Sequence, residues 1–129
     1  MDKTTSSVYR LLMGLIQLTS PPPPPTPPTL SLGGVSFRFP AVTYAAQPEV
    51  TATSTNATSL TWILFRYIDG LNDEITDGGS VSEVTGSDLI SSFQPTMFNA
   101  RYYYEVQALG SGPPVTVTSA LSPSNNGGF

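Results

Sequence analysis

Neither cysteine nor histidine occurs anywhere in the 129 residues. Without cysteine there is no disulfide framework, thiolate zinc site, iron–sulfur cluster or thiol nucleophile. Without histidine there is no Ser-His-Asp or Cys-His machinery and no imidazole metal ligand. Charge is also scarce, since charged side chains make up 11% of the chain against about 25% in ordinary globular domains. The five basic residues, Lys3, Arg10, Arg38, Arg66 and Arg101, are far apart in the sequence, and nine Asp or Glu bring the net charge to −4. No basic stripe is available to neutralise phosphates, so a nucleic-acid partner is not expected. With so thin an acid–base inventory the chain is read as non-enzymatic, without cofactor or resident metal.

What the chain has in excess is proline, 13 residues of it, and the prolines divide the sequence. Ahead of them, residues 4–18 carry Val8, Leu11, Leu12, Leu15 and Ile16 at i, i+3, i+4, i+7 and i+8, one stripe of a helix. Thr5 or Ser6 can cap its start and the proline run stops it. At about 1.5 Å per residue the helix is roughly 20 Å long, short of the ~30 Å needed to span a bilayer. An isolated helix of this length is marginal in water, so the stripe needs an apolar partner. A cleaved signal peptide fits poorly, because Gln17 interrupts the apolar run and Leu18 stands where a small residue is wanted. Residues 1–20 are therefore expected to be a retained amphipathic anchor helix.

Residues 21–28 hold seven of the 13 prolines. Fixed φ angles and missing amide donors favour polyproline II over this run. At about 3.1 Å per residue it spans roughly 25 Å, and residues 21–29 are read as a semi-rigid linker. The PxxP registers inside it also suit SH3 or WW grooves, but the flanking cation such grooves select is missing.

From residue 30 the pattern changes to short β-rich runs at 35–39, 50–55, 59–68, 80–85, 101–109 and 115–121. Turn signals separate them at Pro48, Asn56, Asp69-Gly70, Asp77-Gly78-Gly79, Gln94-Pro95 and 110–114. Residues 88–93 fit either a strand or one helical turn. Within 59–68, Ser59 to Trp62 alternates, whereas Ile63, Leu64 and Phe65 run on as in a strand covered on both faces. The expected fold class is mainly β, an antiparallel sandwich over residues 30–122, followed by a flexible tail at 123–129.

Residues 48–121 resemble an immunoglobulin-like domain, including the related fibronectin type III sandwiches. Pro-Glu-Val-Thr-Ala-Thr at 48–53 looks like strand B. Ser-Leu-Thr-Trp-Ile-Leu-Phe-Arg-Tyr-Ile-Asp-Gly at 59–70 looks like strand C with its tryptophan, Trp62. Asn-Ala-Arg-Tyr-Tyr-Tyr-Glu-Val-Gln-Ala at 99–108 looks like strand F with Tyr102 in the tyrosine-corner position, and 115–121 looks like strand G. The resemblance implies an Ig-like sandwich with Trp62, Tyr102 and Tyr104 in the structural core. The inter-sheet cysteine pair of that family is missing, its places falling near Ala52 and Tyr104. Strands D and E are poorly marked.

Three features invite chemistry. Asp69, Asp73, Glu74, Asp77, Glu83 and Asp88 bring six of the nine carboxylates into one stretch of the sequence. Their spacing does not match a calcium loop, because Leu71 stands at a ligand position, and a solvated acidic loop is preferred to a metal site or a glycosidase pair. Alternation puts Tyr103 on the face opposite Tyr102 and Tyr104, so Tyr103 is the aromatic expected to make a surface contact. Asn56-Ala57-Thr58 is a glycosylation sequon with meaning only in a eukaryotic secretory setting. Together the segments lead to the expectation of a structural protein on the exterior of an assembled particle. It would be a phage or virus capsid decoration, cement, spike or tail component, held to other structural proteins of a homo- or hetero-oligomer through Val8, Leu11, Leu12, Leu15 and Ile16. The alternative is an extracellular carbohydrate-binding or adhesion module.

Overall fold

The computed structural model describes residues 23–39 and 46–127. Within them the chain is mainly β, with no helix. The expected anchor helix lies outside the described residues, as do Pro21 and Pro22. Eight strands are formed: β1 (Thr29–Leu32), β2 (Ser36–Arg38), β3 (Gln47–Thr55), β4 (Ser59–Arg66), β5 (Glu74–Val81), β6 (Ser87–Ser91), β7 (Tyr102–Leu109) and β8 (Val115–Thr118).

They make two four-stranded antiparallel sheets. In the first, β3 is central. β6 pairs along one side of it, from Glu49↔Ser91 to Thr53↔Ser87. β1 and β2 share the other side, β1 against 52–55 and β2 against 47–49, so together they act as one edge strand interrupted at 33–35. The second sheet runs β5-β4-β7-β8. The alternation of β3 and β7 turns one row of each inward. Val50 and Ala52 from β3 and Ile90 from β6 meet Leu60 and Leu64 from β4 and Tyr102, Tyr104, Val106 and Ala108 from β7 in one apolar cluster. Burying that row from both sheets is the dominant favourable term for so weakly charged a chain.

Several local expectations change. Asp77, Gly78 and Gly79 lie inside β5 rather than in a turn, and a β-bulge between Leu64 and Phe65 adjusts the β4–β5 register beside them. A Cβ at Gly79 would sit 2.7 Å from Trp62 Cζ2, so the glycine lets the strand pass the indole. Pro48 lies within β3, and its carbonyl accepts from the Tyr104 hydroxyl at 2.6 Å and the Ser92 amide at 3.4 Å. Residues 87–91 are a strand, not a helical turn, and β1 extends the sheet ahead of the first expected run. In β4, Leu64 is buried, but Ile63 and Phe65 are partly exposed on the outer face, with no second layer over them among the described residues.

The described end of the proline run packs on the sandwich. Pro28 is buried, and a Cβ at Gly112 would meet the Thr26 carbonyl oxygen at 2.6 Å and Pro27 Cα at 2.8 Å. Glycine at 112 thus allows the turn between β7 and β8 to lie against the backbone of residues 26–27.

Candidate functional site

The antiparallel order gives the two sheets two distinct ends. One end gathers the turns 56–58, 82–86 and 110–114 and is where residues 23–28 arrive. The other gathers Phe39 beyond β2, the β4–β5 turn at 67–73, the β6–β7 connection at 92–101 and the segment after β8. The features that invite a partner concentrate at this second end.

Asp73 organises the β4–β5 turn. Its Oδ1 accepts the backbone amides of Ile68, Asp69 and Gly70 at 2.9, 3.3 and 3.0 Å. Its Oδ2 accepts the Tyr103 hydroxyl at 2.5 Å. The Ile68 amide first, and the Tyr103 hydroxyl next, hold this carboxyl down to about 2. Burial, then the facing Asp73 carboxylate, pushes the Tyr103 phenol up to about 12. The Tyr103 ring stacks on Phe65 with centroids 5.0 Å apart and planes 12° apart. Tyr103 is therefore fixed at both its ring and its hydroxyl. Beside it, Tyr67, Gly70, Thr118 and Leu121 line a shallow groove of about 280 Å³. A second hollow of about 230 Å³ lies between Arg66, Glu74, Gln94, Pro95 and Met97, bounded by the Arg66–Glu74 ion pair.

The other expected site residues are placed as follows. Tyr102 and Tyr104 are 1% and 0% exposed. The Tyr102 hydroxyl accepts the Met97 amide at 2.7 Å. Trp62 is partly buried and packs edge-on against Tyr104, with ring centroids 5.6 Å apart. Val8, Leu11, Leu12, Leu15 and Ile16 lie outside the described residues.

The acidic residues that crowd the sequence do not converge in space. Asp69 accepts the Leu71 and Asn72 amides and the Asn72 side-chain amide, and that side chain contributes most to lowering its pKa. Asp77 accepts from the Ser92 hydroxyl at 2.5 Å. Asp88 accepts from the amide and hydroxyl of Thr85, and Glu74 pairs with Arg66. Among the described residues no three such side chains gather around a position for an ion. Each of these carboxylates has its own partner in a turn or a neighbouring segment instead.

The pattern of exposure at this end is not one that the sequence motifs had marked. Among the described residues, all of the exposed large hydrophobic side chains except Ile75 and Leu89 belong to it. Ile68 and Leu71 lie on the β4–β5 turn, Leu71 being 90% exposed; Phe93, Met97 and Phe98 lie on the β6–β7 connection, Phe93 being 77% exposed. Phe39, Tyr67 and Leu121 complete the group. Turn chemistry explained the residues around them, so periodicity gave no reason to single these out. No helix among the described residues is long and apolar enough to cross a membrane. No protein-family model, curated protein or solved structure matches the chain.

Proposed function

We propose that the chain is a non-enzymatic structural protein on the exterior of an assembled particle, a capsid decoration, cement, spike or tail component. Its head is an Ig-like sandwich of the fibronectin type III arrangement. That assignment is supported by the strand order, β1/β2-β3-β6 against β5-β4-β7-β8, and by the Tyr102 hydroxyl bound to the backbone of Met97, just upstream.

The observation that carries the functional reading is the polarity of the head. Residues 26–27 pack at one end, against Gly112, while the exposed apolar loops lie at the other. A head held at one end by a proline run, with its contact surface at the far end, is arranged as a spacer between two partners. On this proposal Val8, Leu11, Leu12, Leu15 and Ile16 dock on the shell, and the part of the proline run ahead of residue 26 sets the standoff. Incorporation into the native assembly tests the anchor. Leu12→Asp with Leu15→Asp abolishes incorporation while the head keeps its β circular-dichroism signature; undiminished incorporation refutes the anchor.

A second reading, an extracellular carbohydrate-binding module, draws on the Tyr67 and Tyr103 groove. A glycan array with the full chain distinguishes it: binding that Tyr67→Ala removes favours this reading, and a blank array counts against it.

A further inference from the structure

We propose that the loop end opposite the proline run is a two-fold interface with a second copy of this chain. Its exposed apolar area is the right size. The eight apolar side chains at this end are between 37% and 90% exposed. Taking about 200 Å² for a fully exposed large side chain, they present on the order of 900 Å². Each partner of a standard interface buries about 800 Å². One copy therefore offers about what one half of a stable dimer needs.

Charge points to the same occupant. All three arginines among the described residues, Arg38, Arg66 and Arg101, stand at this end, at the close of β2 and β4 and just before β7. Asp69, Asp73 and Glu74 stand there too, and Asp77 reaches Ser92 at its margin, so the patch carries both signs. The other described carboxylates, Glu49, Asp77, Glu83, Asp88 and Glu105, have no ion pair among the described residues. Two chains of net charge −4 repel one another overall. Among the described residues only this end brings both signs, and a patch that carries both can complement itself about a two-fold axis. Arg38 and Arg101 likewise have no ion pair among the described residues, which leaves them to meet the carboxylates of the other copy. Its Phe, Tyr, Met and Arg side chains are of types enriched at interfaces. This contact does not depend on the anchoring proposal, because it uses none of residues 1–22.

Mass by light scattering across a dilution series tests it on the full chain, with Leu12→Asp and Leu15→Asp present in every arm to silence the N-terminal stripe. The expected result is a dimer that Phe93→Ser with Phe98→Ser converts to monomer. Arg38→Glu with Arg101→Glu, which leaves every apolar side chain in place, weakens the dimer by on the order of tenfold or more. A monomer throughout the series overturns the proposal, as does a dimer indifferent to both pairs of substitutions. A monomer that floats with phosphatidylcholine–phosphatidylglycerol vesicles, and stops floating in the Phe93→Ser/Phe98→Ser variant, also overturns it and assigns the surface to lipid. Loss of incorporation in Leu12→Asp/Leu15→Asp reads only the anchor, so the two proposals fail separately.

Discussion

The Tyr104 hydroxyl provides a two-sided test of how the sandwich is held together. It is fully buried, and it donates to the Pro48 carbonyl at 2.6 Å, tying β7 of one sheet to β3 of the other. Tyr104→Phe removes that bond but keeps the ring against Trp62. The loss of one neutral buried hydrogen bond costs about 1 kcal/mol. The Pro48 carbonyl retains the longer Ser92 amide contact, so the penalty of an orphaned acceptor is reduced. For a domain of this size about 1 kcal/mol corresponds to a fall in Tm of roughly 4–8 °C at neutral pH.

Alkaline pH then works in the opposite direction. Burial, reinforced by the charges of Asp77 and Glu49, pushes the Tyr104 phenol above its ordinary value of 10.0. The folded state keeps the proton that the unfolded chain gives up, so the stability tied to this proton is fully present below pH 10 and is lost as pH rises beyond it. The loss runs at about 1.4 kcal/mol per pH unit until the folded-state phenol itself ionises. Phenylalanine has no such proton. The stability gap between wild type and Tyr104→Phe therefore closes about one unit above pH 10, and the order then reverses. Urea denaturation followed by circular dichroism at pH 7, 10 and 11.5 measures the gap directly, and effects shared by both proteins cancel. A variant as stable as wild type at pH 7, or a gap that widens with pH, refutes the account.

Three further outcomes follow from other contacts. Gly79→Ala places a methyl group where Trp62 already lies, costs about 1–3 kcal/mol by overpacking, and shifts the emission of the sole tryptophan as the indole leaves Tyr104. Ser54→Ala removes the one buried side-chain oxygen that has no partner among the described residues, so thermal denaturation shows equal or higher stability, and a clear loss contradicts the assignment. Asp73→Asn lowers the protection of the Ile68 and Gly70 amides relative to their intrinsic exchange rates. The wild type loses the same protection in acid, because a carboxyl lowered from 3.8 to about 2 in the fold contributes fully above 3.8 and is lost as pH falls through its folded value.

The strands that were legible in the sequence are those with one buried face. In β7 the alternation of Tyr102, Tyr104, Val106 and Ala108 is uninterrupted, and β3 repeats it with Val50 and Ala52. β5 and β6 were obscured for different reasons. Asp77-Gly78-Gly79 carries the composition of a turn, yet Gly79 is needed for close approach to the Trp62 indole of the neighbouring strand, a demand that no local window contains. In β6 only Ile90 is fully buried, so so short a strand gave no period. The join between Pro28 and the head was hidden for the same reason as Gly79, since Gly112 and Thr26 stand near opposite ends of the described chain.

The candidate site was legible only in halves. Alternation placed Tyr103 outside, and composition marked Asp73 as one of an acidic group. Nothing in the sequence between them suggested that one carboxylate would bind a turn and that tyrosine together. The same geometry explains why the carboxylates from Asp69 to Asp88 do not converge on one position: those at 69, 73, 74, 77 and 88 are each oriented by their own nearby amide, hydroxyl or guanidinium, as short polar loops require. On the outer face, Ile63 and Phe65 imply cover on both sides when read in sequence. Among the described residues only one side is covered, with Tyr103 stacked on Phe65 as partial shelter. Apolar residues beyond what the two sheets can bury were thus visible in the sequence, while their collection at one end required the topology. That collected surplus is the surface on which the proposed two-fold contact rests.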